Sequence, residues 1–515
     1  MRTIFLTQWF DPEPGAIRGL PLARWLTARG HDVRVLTSVP NYPGGRVYPG
    51  YRMRLWQREV MDGVSVLRVP LYPSHDTSPV GRVANYTSFA LSAATLGAAL
   101  IGRGDVAYVY HPPATVGLPA VVLKALRGMP FVYHIADMWP ESVVESGMLE
   151  GAALRRMVHG LLSVWCRAVY RQARAITVLS PGFKRLLVER GVPGDKIHVI
   201  YNWTDETMFH PLPRDAELAR ELGLAGRFNI LYAGNLGPLQ GLDAVVRAAA
   251  RVRSMRAIQV VIVGAGQQEA ELRALAQSVG ASNVLFVGRR PYHEMPRISA
   301  LADVHLVHLR DLPFFRATIP SKTQVALACA RPVLMAVNGD AADIVRKAEA
   351  GVTCPPEDES RIADAMVTLA ESSRDELEAM GQRGRRFYLD EMSLDIGGRY
   401  MDGLLRDVGG ALRGESEILQ RHRNVLLRLL IPDHLIHRIN QTPRLIDIHL
   451  EGIHCDRQLR NDLLLTKLLT GPPQFLAQIA ELFRQNVDPH EDRANPAVGL
   501  QFFVAGLHAL TRRNR

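Results

Sequence analysis

Ile319-Pro320-Ser321-Lys322 sets a lysine at the start of a helical run that leads into the apolar stretch Pro332 to Met335. The free backbone N–H groups and the dipole of a helix N-terminus already favour negative charge, and Ser321 and Lys322 add a hydroxyl and a cation there. A phosphate group suits that arrangement. Two glycine turns of the same strand-to-helix kind precede it: Gly234 to Gly241, which carries Asn235 and Gln240, and Val263-Gly264-Ala265-Gly266. Glycines at such turns let a diphosphate approach the backbone closely, although a lone G-x-G also serves as a plain tight turn. Three such turns in one stretch of chain point to a nucleoside diphosphate.

A sugar nucleotide sets a specific problem, because breaking its anomeric bond leaves a diphosphate whose extra charge must be stabilised as it develops. The sequence contains no Asp-x-Asp to hold a divalent metal for that purpose. Lys322, the helix N-terminus after it and Arg18, beyond the turn at Gly15, are the groups left for the task, so neither a metal nor a separate cofactor is expected. In the first half of the chain, Tyr133 to Glu141 ends an apolar run with polar groups. His134 and Asp137 are candidates for contacts to a sugar hydroxyl, and Asp137 or Glu141 for a base acting on an acceptor. The alternative leaves His134 hydrogen-bonded within the core and Asp137 capping a turn. His111-Pro112-Pro113 and Asn202-Trp203 are further polar strand ends.

The elements that position these groups follow from the alternation of short apolar runs with helical patterns. Thr3–Thr7, Asp32–Leu36, Val64–Val69, Val106–His111, Phe131–His134, Ala175–Leu179 and Ile197–Tyr201 read as strands; a second series is Asn229–Ala233, Gln259–Val263, Val284–Val287, Asp303–Val307 and Pro332–Met335. Strands separated by crossover helices give parallel sheets. The fold class is therefore α/β, with two doubly wound domains and a ligand at the carboxyl ends of their strands. Pro211 and Pro213 mark the crossing between them, and Asn41 to Arg46 is a turn.

Length and composition agree: 515 residues, 47% hydrophobic and 22% charged, describe a globular chain of more than one domain. Charge is uneven. Residues 1–200 carry a net +10, residues 201–410 a net −3 and the remainder +3. A basic first half suits an anionic lipid surface; nucleic acid is not expected, since no helix-turn-helix, finger or RNP-like pattern accompanies the charge. Four scattered cysteines signal neither a disulfide framework nor a zinc site, and the first residues do not form a signal peptide. Val83 to Gly102 lacks charge, with Phe89, Ala93, Leu96 and Leu100 on one helical face; a core helix is favoured over an interfacial or a spanning one. Residues 411–515 read as further helices, with seven of the seventeen histidines. His434 and His437 share a helical face, but no acid or thiolate stands at matching spacing, so solvated or packing histidines are expected.

Pro12-Glu13-Pro14-Gly15 with Gly30-His31, Asn41-Tyr42-Pro43-Gly44, His134 to Ser142, Ala233 to Gly237 with Gln240-Gly241, and Ile319 to Lys322 together resemble the retaining glycosyltransferases of the GT-B fold, family 4. Within it the chain is similar to the bacterial enzymes of surface-polysaccharide, O-antigen and colanic-acid type. The resemblance covers about residues 1–408. It implies a Rossmann-like acceptor domain over 1–203, rejoined by a helix within 396–410, and a nucleotide-sugar domain over 204–395; the helical extension 411–515 matches nothing. It also implies a hexosyl or N-acetylhexosaminyl transferase, metal-independent, that moves a sugar from a nucleotide donor, UDP before others, to a saccharide on a polyprenyl diphosphate. The enzyme would be cytoplasmic, attached peripherally to the inner membrane. In that reading Gly15, Arg18, Asn235, Gln240, Gly264, Gly266, Ser321 and Lys322 bind the donor, while His134, Asp137, Glu141 and Lys322 serve catalysis. Many members carry two glutamates eight residues apart where Ala317 and Val325 stand here, and an Arg and a Lys where Asn235 and Gln240 stand. A sugar-nucleotide epimerase of the same fold and a non-catalytic scaffold are the alternatives.

Overall fold

The computed structural model describes residues 1–14, 18–74, 79–145, 151–255 and 257–410. Gly15 and the whole of 411–515, with the helices and histidines expected there, lie outside the described residues. Fourteen strands form two sheets among those described. The first contains β1 (Arg2–Thr7), β2 (Asp32–Ser38), β3 (Gln57–Met61), β4 (Val64–Val69), β5 (Val106–His111), β6 (Phe131–Ile135), β7 (Ala175–Val178) and β8 (Ile197–Val199). Its order is β3-β4-β2-β1-β5-β6-β7-β8. The second contains β9 (Phe228–Ala233), β10 (Ile258–Val263), β11 (Val284–Gly288), β12 (Val304–His308), β13 (Val333–Ala336) and β14 (Gly351–Thr353), in the order β11-β10-β9-β12-β13-β14.

The strand order in each sheet steps outward from β1 or β9 on both sides, which is the doubly wound pattern expected of the apolar runs. All twelve runs read from sequence appear as strands. The two added ones are short or polar: β3 pairs antiparallel with β4, and β14 has three residues. Strands covered on both faces need no polar alternation, and β6 and β10 are buried at every position. Around the second sheet, the helix Leu242–Arg251 turns Leu242, Val245, Val246 and Ala249 into a core with Ile230, Val260, Ile262, Val304 and Leu334.

Among the described residues, contacts group 1–14, 30–131 and 405–410 into one unit, and 18–29 with 132–404 into a second. The last described helix spans Leu394–Gly410.

Within the first unit, the uncharged stretch forms a helix over Pro79–Ser92, one π-helical turn over Ala93–Gly97 and a final turn over Ala98–Leu100. Phe89, Ala93, Ala98 and Ile101 are buried, whereas Leu96 and Leu100 are only partly so. The face read from a 3.6-residue repeat is thus corrected. A π turn inserts one residue, which rotates everything after it by about 100° and turns Gly97 and Ala98 inward in place of Leu96. Gly97 fits because a Cβ there would stand 2.8 Å from Leu36 Cδ1. None of the described helices is long and apolar enough to cross a membrane.

Candidate functional site

Three turns meet at the carboxyl ends of β9, β10 and β12, and they fit together through backbone. Gly234 ends β9 with φ 151°, and its N–H donates to Val263 O at 2.9 Å. A Cβ at Gly264 would lie 1.8 Å from Gly234 O, and one at Gly266 would lie 2.4 Å from Leu236 O. Leu236 N–H donates to Ala265 O, and Gln268 N–H to Leu236 O. The G-x-G at 264–266 therefore stacks main chain on main chain and fixes the height of the Gly234 turn.

Lys322 stands over that turn from the helix Ser321–Ala328, whose N-cap is Pro320. Its Nζ lies 4.9 Å from the centroid of the Tyr232 ring, a cation–π contact. The Tyr232 hydroxyl donates to Asn235 O at 2.7 Å, holding the turn from below. The φ of Gly234 favours glycine, and a Cβ there would meet the end of the Lys322 side chain, Cε at 2.7 Å and Nζ at 2.9 Å, and push it aside. The ammonium is partly buried, and burial alone pushes its pKa down to about 8. No carboxylate among the described residues offsets that desolvation. Ser321 and Asn235 are exposed beside it.

The second part of the turn, Pro238–Gln240, is clamped by residues that the sequence reading missed. Gly237 N–H donates to Gln240 Oε1 at 3.1 Å, so the Gln240 side chain closes the turn on itself. His308, at the end of β12, donates from Nδ1 to Gln240 O at 2.7 Å and accepts at Nε2 from Glu357 N–H at 3.2 Å. Those two partners fix a neutral ring, and burial lowers its pKa. Arg310 donates from Nε to Pro238 O (2.9 Å), from Nη1 to Glu357 (2.6 Å) and from Nη2 to Asp243 (2.9 Å). The signal was present in His308-Leu309-Arg310-Asp311, a polar strand end next to a glycine turn. Its partner Glu357 is 47 residues further on, beyond any local pattern.

The chain as a whole has counterparts among known proteins. The glycosyl transferase 4-like domain matches residues 17–203, and the group 1 glycosyl transferase domain matches residues 227–372. A glycosyl transferase of Escherichia coli named for colanic acid biosynthesis, WcaI, is 30% identical over 60% of this chain and 75% of its own length. The chain belongs to the family 4 glycosyltransferases. A glycosyltransferase of Pseudomonas aeruginosa, WbjE, is 26% identical over 52% of this chain and 67% of its own. The crystal structure of Anabaena HepE in complex with UDP and glucose overlays with a TM-score of 0.56, at 16% identity, over 79% of this chain and 99% of that one. The likeness extends to the GT-B fold as a whole.

Elsewhere in this glycosyltransferase the predicted site residues have the following surroundings. His134, on β6, is fully buried with Nδ1 2.7 Å from Thr177 Oγ1. Asp137 follows the strand, partly buried; burial raises its pKa against a hydrogen bond from the Met138 N–H. Glu141 opens the short helix Glu141–Glu145 and pairs through Oε1 with Arg190 at 2.7 Å. Arg18 is buried beneath the segment 200–203: Nε donates to Asn202 Oδ1, and Nη2 to the carbonyls of Ile200 and Tyr201, all at 2.8 Å. Its guanidinium lies 4.4 Å from the centroid of the Trp203 ring, while Nη1 is buried without a hydrogen-bond partner among the described residues. The structure thus brings Lys322, Asn235, Gln240, Gly264, Gly266 and Ser321 together around one turn.

Ala317 and Val325, where the resemblance would place glutamates, differ in setting. Ala317 is buried, and its carbonyl accepts from Ser180 Oγ at 2.5 Å. A Cβ on Gly182 would touch it at 2.7 Å. Val325 is partly buried on the helix that carries Lys322.

Proposed function

We propose that this glycosyltransferase moves a sugar from a nucleoside diphosphate donor, UDP-linked before others, to a saccharide carried on a polyprenyl diphosphate, with retention at the anomeric carbon. The observation that carries the reading is the uncompensated ammonium of Lys322 above the Gly234 turn. A buried cation without a carboxylate is stabilised by an anionic ligand, and a diphosphate supplies the charge. The donor's bond from anomeric carbon to phosphate oxygen breaks with its electron pair on the diphosphate. Lys322 and the free N–H groups at the start of its helix stabilise that charge as it grows. The acceptor hydroxyl oxygen bonds to the same face of the anomeric carbon. Its proton passes to Asp137, whose raised pKa suits a proton carrier better than Glu141, engaged with Arg190. UDP is favoured by the fold-level likeness to HepE, whose structure holds UDP and glucose, and the carrier-linked acceptor by the relative named for colanic acid biosynthesis.

The test pairs nucleoside diphosphate release with formation of a glycolipid, across a panel of nucleotide sugars. One diphosphate released per sugar transferred is expected, whereas interconversion of the donor sugar without release identifies an epimerase. Lys322→Ala is expected to lower turnover about a hundredfold or more, the usual cost of removing one group that stabilises a developing anion. Unchanged turnover in that variant ends the role given to Lys322.

A further inference from the structure

The helix Ala152–Gln172 keeps an apolar stripe in solvent. Leu154, Met157, Leu161 and Val164 are 40%, 56%, 65% and 61% exposed. At 3.6 residues per turn these four and the exposed Ala168 fall within an arc of about 80°, while the buried Cys166, Val169 and Tyr170 lie on roughly the opposite side. Arg156, Arg167 and Arg171 follow along one edge of the stripe, and all three are exposed. The helix has four arginines and no aspartate or glutamate in 21 residues.

We infer that this helix is the element by which the enzyme docks on an anionic lipid surface. The inference deepens the membrane part of the function proposed above and rests on it. The pattern has three parts, each with its own reason. An exposed apolar arc on a folded helix gains free energy by entering the acyl boundary of a bilayer. A row of arginines beside it meets lipid phosphates at the level of the head groups, and the absence of any carboxylate removes repulsion there. The helix lies on its own unit with Cys166, Val169 and Tyr170 packed beneath, so it enters sideways rather than across the membrane. The uncharged stretch Val83 to Gly102, read from sequence as a core helix before an interfacial one, has a buried face and no arginine row.

Flotation of the full chain with vesicles of phosphatidylcholine alone, and of phosphatidylcholine with phosphatidylglycerol, tests the assignment. Binding is expected only to the mixed vesicles and weakens with salt. Leu161→Ser with Val164→Ser is expected to cut vesicle affinity at least about tenfold. Each of Arg156→Gln, Arg167→Gln and Arg171→Gln is expected to cut it about fivefold. Because the altered side chains are exposed, sugar transfer to a water-soluble acceptor stays at the wild-type rate. Wild-type binding by the Leu161/Val164 variant overturns the assignment. So does loss of binding only on Leu55→Ser with Trp56→Ser, at another exposed apolar and basic stretch, where those side chains are 57% and 42% exposed. A wild-type dimer that ignores vesicles and is split by the Leu161/Val164 pair also overturns it, in favour of a second copy of the chain. The vesicles contain no acceptor, so flotation is read independently of catalysis: vesicle binding by a protein that releases no nucleoside diphosphate in the separate glycolipid assay upholds the docking helix and fails the proposed reaction instead.

Discussion

Lys322 makes nucleotide binding a proton-coupled event, and the coupling has a predictable size. With its pKa near 8, the lysine is about nine-tenths protonated at pH 7, half at pH 8 and one-tenth at pH 9. A diphosphate beside it favours the charged form and returns the pKa toward the ordinary ~10.4. Binding of UDP therefore takes up about 0.1 proton at pH 7, about 0.5 at pH 8 and about 0.9 at pH 9, and affinity falls about tenfold from pH 7 to pH 9. The nucleotide's own terminal phosphate, with a second pKa near 6, adds little above pH 8. Titration calorimetry in buffers of different ionisation enthalpy reads the proton count directly. Lys322→Arg, whose charge is fixed, should abolish the uptake. The sign for folding is opposite to that of a stabilising pair. A lysine whose folded pKa lies below its unfolded value costs stability while charged, and the cost fades as pH rises from about 8 to about 10.4. Lys322→Met is thus expected to raise stability at pH 7, by at most about 3 kcal/mol, while weakening UDP binding. Zero uptake at pH 8 and 9, or equal uptake by the arginine variant, refutes the reasoning.

Two further outcomes follow from the same geometry and its surroundings. Gly234→Ala places a Cβ against Lys322 at a φ of 151°, so a stability loss of about 1–3 kcal/mol and at least about tenfold weaker UDP binding are expected together, measured by denaturant titration and calorimetry. His305, buried against Ser299, has its pKa pushed down to about 4. Its folded form stays neutral while the unfolded form protonates below about pH 6.5, so stability drops by about 1.4 kcal/mol per pH unit from there toward pH 4. Urea midpoints of His305→Gln across that range should show the slope removed.

Much of the fold was legible because strands buried on both faces are written as unbroken apolar runs, as in Gln259 to Val263. The exceptions are physical. Gln57 to Met61 alternates exposed with half-buried positions at a sheet edge and carries the adjacent charges Arg58 and Glu59, and the π turn at Ala93 shifts a helical face in a way that no regular repeat encodes. The Lys322 turn was legible from local chemistry alone, since a cation at a helix start after glycine turns needs no distant partner to be recognised. Arg18 shows the limit of that logic: its partners Ile200, Tyr201 and Asn202 lie more than 180 residues away, and the sequence offered only its place beyond Gly15. His308 and Arg310 show it too: the polar strand end was there to be read, but not what it holds. Their role depends on Glu357 and on the carbonyls of a turn whose closure only the fold reveals.

The stacking of Gly234, Gly264 and Gly266 has a consequence for how such a protein diverges. A floor built from main-chain atoms leaves the neighbouring side chains free to change without moving it, so positions such as the exposed Asn235 can drift and retune what the turn accepts. The three glycines have no such latitude: a Cβ at 264 or 266 runs into another turn's backbone, and Gly234 holds a φ of 151° that other residues rarely adopt. Lineages that alter donor preference are therefore expected to write the change in the residues around an immobile frame, and to inherit the frame itself unaltered.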